Sequence, residues 1–284
     1  MKTAVLILAG GSGTRLRPLS SEDMPKQFLR IFSNHLSFFQ ATLNRAMKIA
    51  DTSDIFVLTQ KAYSKHIADQ APQIPNENIF FESHKKNTAP AIASAMMKIH
   101  KKFGDAVSVV LPADHYIADE NTFISSVRKA INLAENNTKI ISIGIIPTRP
   151  DTSFGYIKYK SELKDGLLAE TSFKEKPDYS KAVEMISEGN CLWNSGIFIT
   201  NNSFMISQFE KYLPDVYNTA KRYINSDSES EAEIIYSEMP VISVDYGVLE
   251  KTDSVLLLKG DFGWDDIGSW DAMGRLLSKS EFRL

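Results

Sequence analysis

The chain contains a single cysteine, Cys191, in 284 residues, which excludes an internal disulfide and any zinc centre built on thiolates. Its neighbours Leu192 and Trp193 predict a buried, inert thiol, and the scarcity of cysteine fits a reducing compartment, the cytoplasm. No apolar run approaches membrane-spanning length, so no membrane partner is expected. Lys2 ahead of Ala4–Ala9 imitates the start of a leader, but the run is six residues long and ends in glycine, which predicts a first β-strand. Basic residues are not in excess: a formal net charge of -3 and a pI near 6.0 exclude a chain built to coat nucleic acid and make any cationic surface local. Internal repeats and low-complexity tracts are absent too. Without secretion, the sequons at Asn136-Asn137-Thr138 and Asn201-Asn202-Ser203 are chance matches.

Two familiar glycine signatures are also missing. The stretch Gly10-Gly11-Ser12-Gly13-Thr14-Arg15-Leu16-Arg17-Pro18-Leu19 has no Lys-Ser or Lys-Thr, so it is no P-loop. A dinucleotide fingerprint started at Gly11 and Gly13 puts Leu16 where a third small residue is needed for close helix packing. What the stretch does contain is a set of glycines able to turn successive backbone N–H groups toward one anion, with Arg15, Arg17 and Lys26 as cationic donors. That combination reads as a polyphosphate cradle. The alternative is a glycine turn that merely joins a strand to the next element.

With 43% hydrophobic and 24% charged residues, the chain is an ordinary globular sequence with enough apolar content for a sizeable core. Apolar runs at 3–9, 54–60, 106–112 and 139–146 alternate with helical patterns near 37–50, 61–70, 88–103 and 121–136. The runs are apolar at nearly every position, as in a parallel sheet covered on both faces, and they predict an α/β, doubly wound core. Beyond Pro147-Thr148-Arg149-Pro150 the texture changes. Short strands are predicted at 155–159 and 166–169, helices near 178–189, 201–212 and 229–237, strands near 241–248 and 253–259, and a last helix at 269–278. The change divides the chain into residues 1–150 and 151–284, the second reading as a substrate-binding half.

Ligands of doubly wound sheets gather beyond the carboxyl ends of the strands, so polar residues there carry most weight. Pro112-Ala113-Asp114-His115 follows the strand ending at Leu111 and would aim the Asp114 carboxylate into that crevice; a loop-capping aspartate is the plainer reading. In Gly263-Trp264-Asp265-Asp266-Ile267-Gly268-Ser269-Trp270 glycines bracket adjacent carboxylates just ahead of a helix, which one of them could simply cap. Magnesium takes one or two carboxylates besides phosphate oxygens and water, so Asp114 with Asp266 would suffice beside a nucleotide. Phe173-Lys174-Glu175-Lys176-Pro177 supplies a hydroxyl acceptor and a second phosphate donor. Trp193-Asn194-Ser195-Gly196 adds an amide suited to sugar hydroxyls beside an aromatic wall; a buried strand with one satisfied Asn is the alternative.

Together with Pro25-Lys26-Gln27-Phe28-Leu29 and Asn87-Thr88-Ala89-Pro90, these blocks resemble the sugar-1-phosphate nucleotidyltransferase family over residues 1–278, and within it the mannose-1-phosphate guanylyltransferases. The resemblance implies a Rossmann-like nucleotidyltransferase fold with a mixed, mainly parallel central sheet, GTP and mannose 1-phosphate as substrates, GDP-mannose and pyrophosphate as products, and Mg2+ as cofactor. It further implies that Gly10, Gly11 and Gly13 approach the nucleotide, Arg15 and Lys26 hold its triphosphate, and Asp114 and Asp266 bind the metal. Gly155, Glu175 and Asn194 would face the sugar and Lys176 its phosphate; Asn87 and Thr88 would lie near the base, with Glu82 accepting the guanine hydrogens. The block Ser243–Lys251 also matches the family, with Asp245 bordering the sugar site but given no role. Family members usually continue into a carboxyl-terminal region, and the resemblance leaves room for a homodimer. Lys86 for arginine and Ser153-Phe154 for Gly-Tyr depart from the family pattern. Rival readings are another sugar phosphate or nucleotide, or a non-catalytic nucleotide-sugar sensor, which should have lost a metal carboxylate or phosphate cation.

Overall fold

A computed structural model describes residues 1–31, 35–169 and 171–277. In chain order the elements are β1 (Lys2–Leu8), α1 (Phe38–Met47), β2 (Ile55–Gln60), α2 (Ser64–Gln70), β3 (Ile79–Glu82), α3 (Thr88–Phe103), β4 (Ala106–Pro112), β5 (Tyr116–Ile117) and α4 (Glu120–Asn136). There follow β6 (Ile140–Ile145), β7 (Tyr156–Lys158), β8 (Ser161–Glu162), β9 (Leu167–Ala169), β10 (Ser172–Lys174), α5 (Tyr179–Ser187), β11 (Cys191–Asn201), α6 (Asn202–Tyr212), α7 (Pro214–Tyr223) and α8 (Glu229–Ser237). A turn of π-helix (Asp245–Leu249), β12 (Val255–Gly260), β13 (Trp264–Asp265) and α9 (Trp270–Leu277) complete the described chain. Position 278, the end of the last predicted helix, lies outside the described residues.

The fold is α/β, with a mixed, mainly parallel central sheet and flanking helices, as expected. Contacts divide the chain into a smaller unit (Val5–Glu82, Val110–Ile124, Phe262–Leu284) and a larger one (Met1–Ala4, Ser83–Val109, Ser125–Asp261). In the smaller unit β1, β2 and β3 run parallel, Leu6 opposite Phe56 and Leu58 opposite Phe80. The near-continuous burial of β1 and β2 is what strands covered on both faces require, whereas β3 leaves Phe81 exposed. A second small sheet pairs β5 with β13, Trp264 opposite Ile117 and Asp265 opposite Tyr116. Leu16, Leu29, Ile31, Phe38, Tyr116, Ile267, Met273 and Leu276 form one apolar cluster.

In the larger unit β12 runs parallel to β6, while β11 is antiparallel to both β6 and β7. The excursion β7–β10 is antiparallel throughout its pairings, and Ile157, Leu168, Leu192 and Leu257 pack beneath it. α3 occupies the predicted span and buries its alanine and methionine face.

One predicted strand is absent: residues 241–248 form an irregular stretch leading into the π turn. Ile242 and Val244 are engaged by residues 86–89, and Glu250 N–H closes the turn on the Asp245 carbonyl (2.9 Å), so the run never joins a ladder. Proline at 240 and glycine at 247 are the sequence signals for this break. Helix α7 and strands β3, β5, β8, β10, β11 and β13 are additions to the expected elements.

Candidate active site

In the smaller unit the glycine loop leaves β1 and enters a short 3-10 turn, Thr14–Leu16, instead of an α-helix; Leu16 is buried in the apolar cluster. The loop's carbonyls are taken by side chains. Gln27 Nε2 donates to the carbonyls of Ala9 and Gly11 (both 2.9 Å), Gln60 Nε2 to Gly10 (2.6 Å), Thr59 Oγ1 to Ala9 (3.1 Å) and Ser20 Oγ to Gly13 (2.6 Å). With the carbonyls held, the N–H groups of Gly10, Gly11, Ser12 and Gly13 have no acceptor among the described residues. Unused backbone donors in a row are what an anion cradle requires. Gly13 sits at φ 61°, and a Cβ there would lie 2.6 Å from Lys26 Cβ, so glycine is required. A carboxylate oxygen of Glu82 lies against Gly10, 3.1 Å from where a Cβ would be. The exposed Arg15 extends its guanidinium to the neighbourhood of Gly268.

Lys26 is 4% exposed, and its ammonium donates to Asp114 Oδ2 (2.9 Å) and to the main-chain carbonyl of Asp266. The pairing of β5 with β13 brings these distant segments together, because Asp114 precedes β5 and Asp266 follows β13. Supports surround the Asp114 loop. Ala113 N–H donates to the Leu8 carbonyl (3.0 Å), Arg45 Nη2 to the His115 carbonyl (3.3 Å) and Trp264 Nε1 to His115 Nδ1 (3.1 Å). Burial holds His115 down at about 4, so its ring is neutral at physiological pH and accepts at Nδ1. Burial also brings the Arg45 guanidinium down to about 10, against the opposing pull of Glu120.

Burial raises the Asp114 carboxyl, but Lys26 and His115 overrule it and leave it below the usual carboxylate range. Asp266 is shifted the other way: burial raises it, Lys26 opposes and Asp114 adds to the rise. Neither carboxylate of the Asp265-Asp266 pair caps α9; Ser269 Oγ does, accepting from Ala272 N–H (3.2 Å). Asp265 accepts from Ile267 N–H, and Asp266 Oδ1 from Gly268 N–H (both 2.8 Å). Among the described residues no three His, Cys, Asp or Glu side chains gather as a metal cage. Two carboxylates that influence each other electrostatically, one of them disfavoured as an anion, fit a divalent ion that completes its shell with phosphate oxygens and water.

The larger unit holds a second cluster. Glu175 is 8% exposed at its side chain and lies against Gly155, where a Cβ would approach Glu175 Oε2 to 2.5 Å and Phe173 Cζ to 2.9 Å. Lys176, at φ 45° and 54% exposed, pairs with Glu175 Oε1. Asn194 N–H donates to the Gly155 carbonyl (2.8 Å), and Asn194 Nδ2 to Asp245 Oδ1 (2.9 Å). Burial, then Glu175, pushes Asp245 up to about 6. Gly155, Glu175, Lys176 and Asn194 thus come together. Trp193 offers no open wall: it is 3% exposed, with its ring against Phe154 (centroids 5.0 Å) and Arg149 above it. Cys191, Leu192 and Trp193 are buried in succession, as in a strand covered on both faces, and Cys191 is buried as expected. Asn87, at φ 67°, caps α3 by accepting from Thr88 N–H (2.9 Å), and Thr88 Oγ1 accepts from Val244 N–H (2.9 Å).

Residues 4–281 match the family model described as nucleotidyl transferase. A mannose-1-phosphate guanylyltransferase of Sinorhizobium fredii is 36% identical over 94% of this chain and 53% of its own length. A protein of the same name from Klebsiella pneumoniae is 34% identical over 97% of this chain and 60% of its own. The chain therefore spans between about half and three fifths of the length of these curated relatives. A solved structure from Thermus thermophilus, named mannose-1-phosphate geranyltransferase, is 32% identical with a TM-score of 0.90, covering 99% of this chain and 80% of that one. A family match over nearly every residue, joined by relatives above 30% identity, makes this chain a member of the nucleotidyl transferase family.

Proposed function

We propose that the chain transfers the guanylyl group of GTP to mannose 1-phosphate, giving GDP-mannose and pyrophosphate. The observation that carries this reading is the smaller unit's cradle: unengaged N–H groups at Gly10–Gly13, with Lys26 bound to Asp114 and to the Asp266 main chain. The names of the relatives supply the sugar and the base.

The sugar phosphate is already an anion at neutral pH, so attack on the α-phosphorus needs no general base. The problem is electrostatic and geometric, and no covalent enzyme intermediate is required. In this reading Gly10, Gly11 and Gly13 take the nucleotide phosphates on their amides, and Arg15 and Lys26 neutralise the triphosphate. Asn87, Thr88 and Glu82 face the base. Gly155, Glu175 and Asn194 orient the sugar, and Lys176 holds its phosphate for in-line attack. Residues 1–150 then act as the nucleotide half and 151–284 as the sugar-phosphate half. Asp114 and Asp266 would hold a divalent metal, Mg2+ in the family pattern. Such an ion, when bound, offsets negative charge on phosphate oxygens as pyrophosphate leaves. A cytoplasmic setting and a homodimer complete the proposal.

Pyrophosphate release with a panel of nucleotides and sugar 1-phosphates tests it. Highest kcat/KM is expected for GTP with mannose 1-phosphate; no release from any pair would leave the sensor reading in its place.

A further inference from the structure

The block Ser243–Lys251 has no place in the chemistry above, yet it is built into the second cluster. Its π turn, a form rare in folded chains and frequent at functional sites, projects a carboxylate at each end. Asp245 Oδ1 accepts from Asn194 Nδ2 (2.9 Å), and Glu250 Oε1 accepts from Glu175 N–H (3.0 Å). Asn194 Oδ1 in turn accepts from Gly196 N–H (3.1 Å). A carboxylate on one side and an N–H donor on the other admit only one orientation of the Asn194 amide, with a single Nδ2 hydrogen left over.

The turn is itself anchored. Ile242 N–H donates to the Lys86 carbonyl, Ala89 N–H to the Ile242 carbonyl (both 3.1 Å), and Val244 N–H to Thr88 Oγ1 (2.9 Å). A contribution to stability does not explain the aspartate: burial and the neighbouring Glu175 both disfavour its charge, and the pocket's cation, Lys176, pairs with Glu175. A carboxylate kept at a site that penalises it points to use there.

We propose that Asp245 is a positioning residue of the sugar-phosphate subsite: by fixing the Asn194 amide it presents one N–H and so sets affinity for the sugar phosphate, without contacting the nucleotide. This rests on the proposed function. In steady-state assays Asp245→Ala should raise KM for mannose 1-phosphate about tenfold, with KM for GTP within about twofold. Asp245→Asn keeps an acceptor oxygen and should return KM to within about threefold of wild type. An unchanged KM for mannose 1-phosphate in Asp245→Ala, or equal rises for both substrates, overturns the proposal. Wild-type inactivity would instead sink the functional reading, and Asp245 would be judged on structure alone. In protein carrying 15N-asparagine, Asp245→Ala should shift or broaden the Asn194 side-chain amide pair while Asp245→Asn preserves two resolved signals; an amide pair unmoved in Asp245→Ala overturns the proposal. Should Asp245→Ala fail to fold, Asp245→Ser, too short to reach Nδ2, replaces it with the same expected outcomes.

Discussion

The two clusters handle charge in opposite ways. In the smaller unit a buried lysine meets Asp114 directly, and the glycine loop has amides without acceptors, an arrangement that in the proposed reading would take anions with their counter-ion. In the larger unit the acids are crowded and the cation is outside: Glu175 and Asp245 repel one another while Lys176 lies half exposed on a left-handed residue. Carboxylates so placed suit neutral hydroxyl donors. The lesson is that the position of the lysine decides what each cluster can take. Buried, it fixes a charge pattern before any ligand arrives; half exposed and paired with Glu175, it would have to exchange that partner to hold the phosphate proposed above.

Chelation should break the comparison most sharply. If the paired aspartates work through a divalent ion, EDTA should abolish pyrophosphate release and added Mg2+ should restore it, with the larger unit's affinity for mannose 1-phosphate, measured by calorimetry, unaltered; full release in chelator would remove the metal from the account. Next comes Lys26→Ala, expected to lower turnover roughly 10²-fold or more, as for other preorganised charge stabilisers. Near-normal turnover of Lys26→Ala would show that the buried ion pair is only structural. Gly155→Ala places a methyl 2.5 Å from Glu175 Oε2, a clash that displaces the carboxylate, and should raise KM for the sugar phosphate roughly tenfold, sparing KM for GTP.

Asp245→Asn sharpens the contrast through stability. In the folded chain Asp245 holds its proton up to about 6, well above the ordinary carboxylate near 3.8, so the wild type loses stability as pH rises between those values. The asparagine variant should therefore be more stable at pH 7.5 by an amount of order 1–3 kcal/mol, and the advantage should vanish below about pH 4. Thermal melts across that range decide, and a gap that widens toward acid would contradict the assignment. The smallest effect is expected for Arg17→Ala, which removes an exposed pair with Glu22 and should change stability by less than about 0.5 kcal/mol.

Much of this was legible in the residues. Continuous apolar runs announced β1, β2, β4 and β6; the glycine loop and Asp114 drew attention by following predicted strands, and Asp266 by its place in a glycine-bracketed acidic pair ahead of a helix. The supports were not legible, because they are long-range. Nothing local says that Gln27 and Gln60 hold the loop's carbonyls, or that β13 pairs with β5 and sets Asp266 beside Lys26. Arg45 did leave a trace, a charge on the apolar face of α1. Trp193 misled as a wall because its burial comes from long-range packing, in a strand paired with both β6 and β7. The 241–248 run misled because β-branched residues favour strands only where a partner strand exists.

The side chains that hold the loop's carbonyls have one more consequence. Ordering a glycine-rich segment is entropically steep, since glycine has more backbone freedom to lose than any other residue. Here that loss falls on folding, through Gln27, Gln60, Thr59 and Ser20, and need not be repeated at each encounter with an anion. In the proposed reading a polyphosphate would meet a segment whose backbone is already ordered, so its binding would not have to bear that entropy loss.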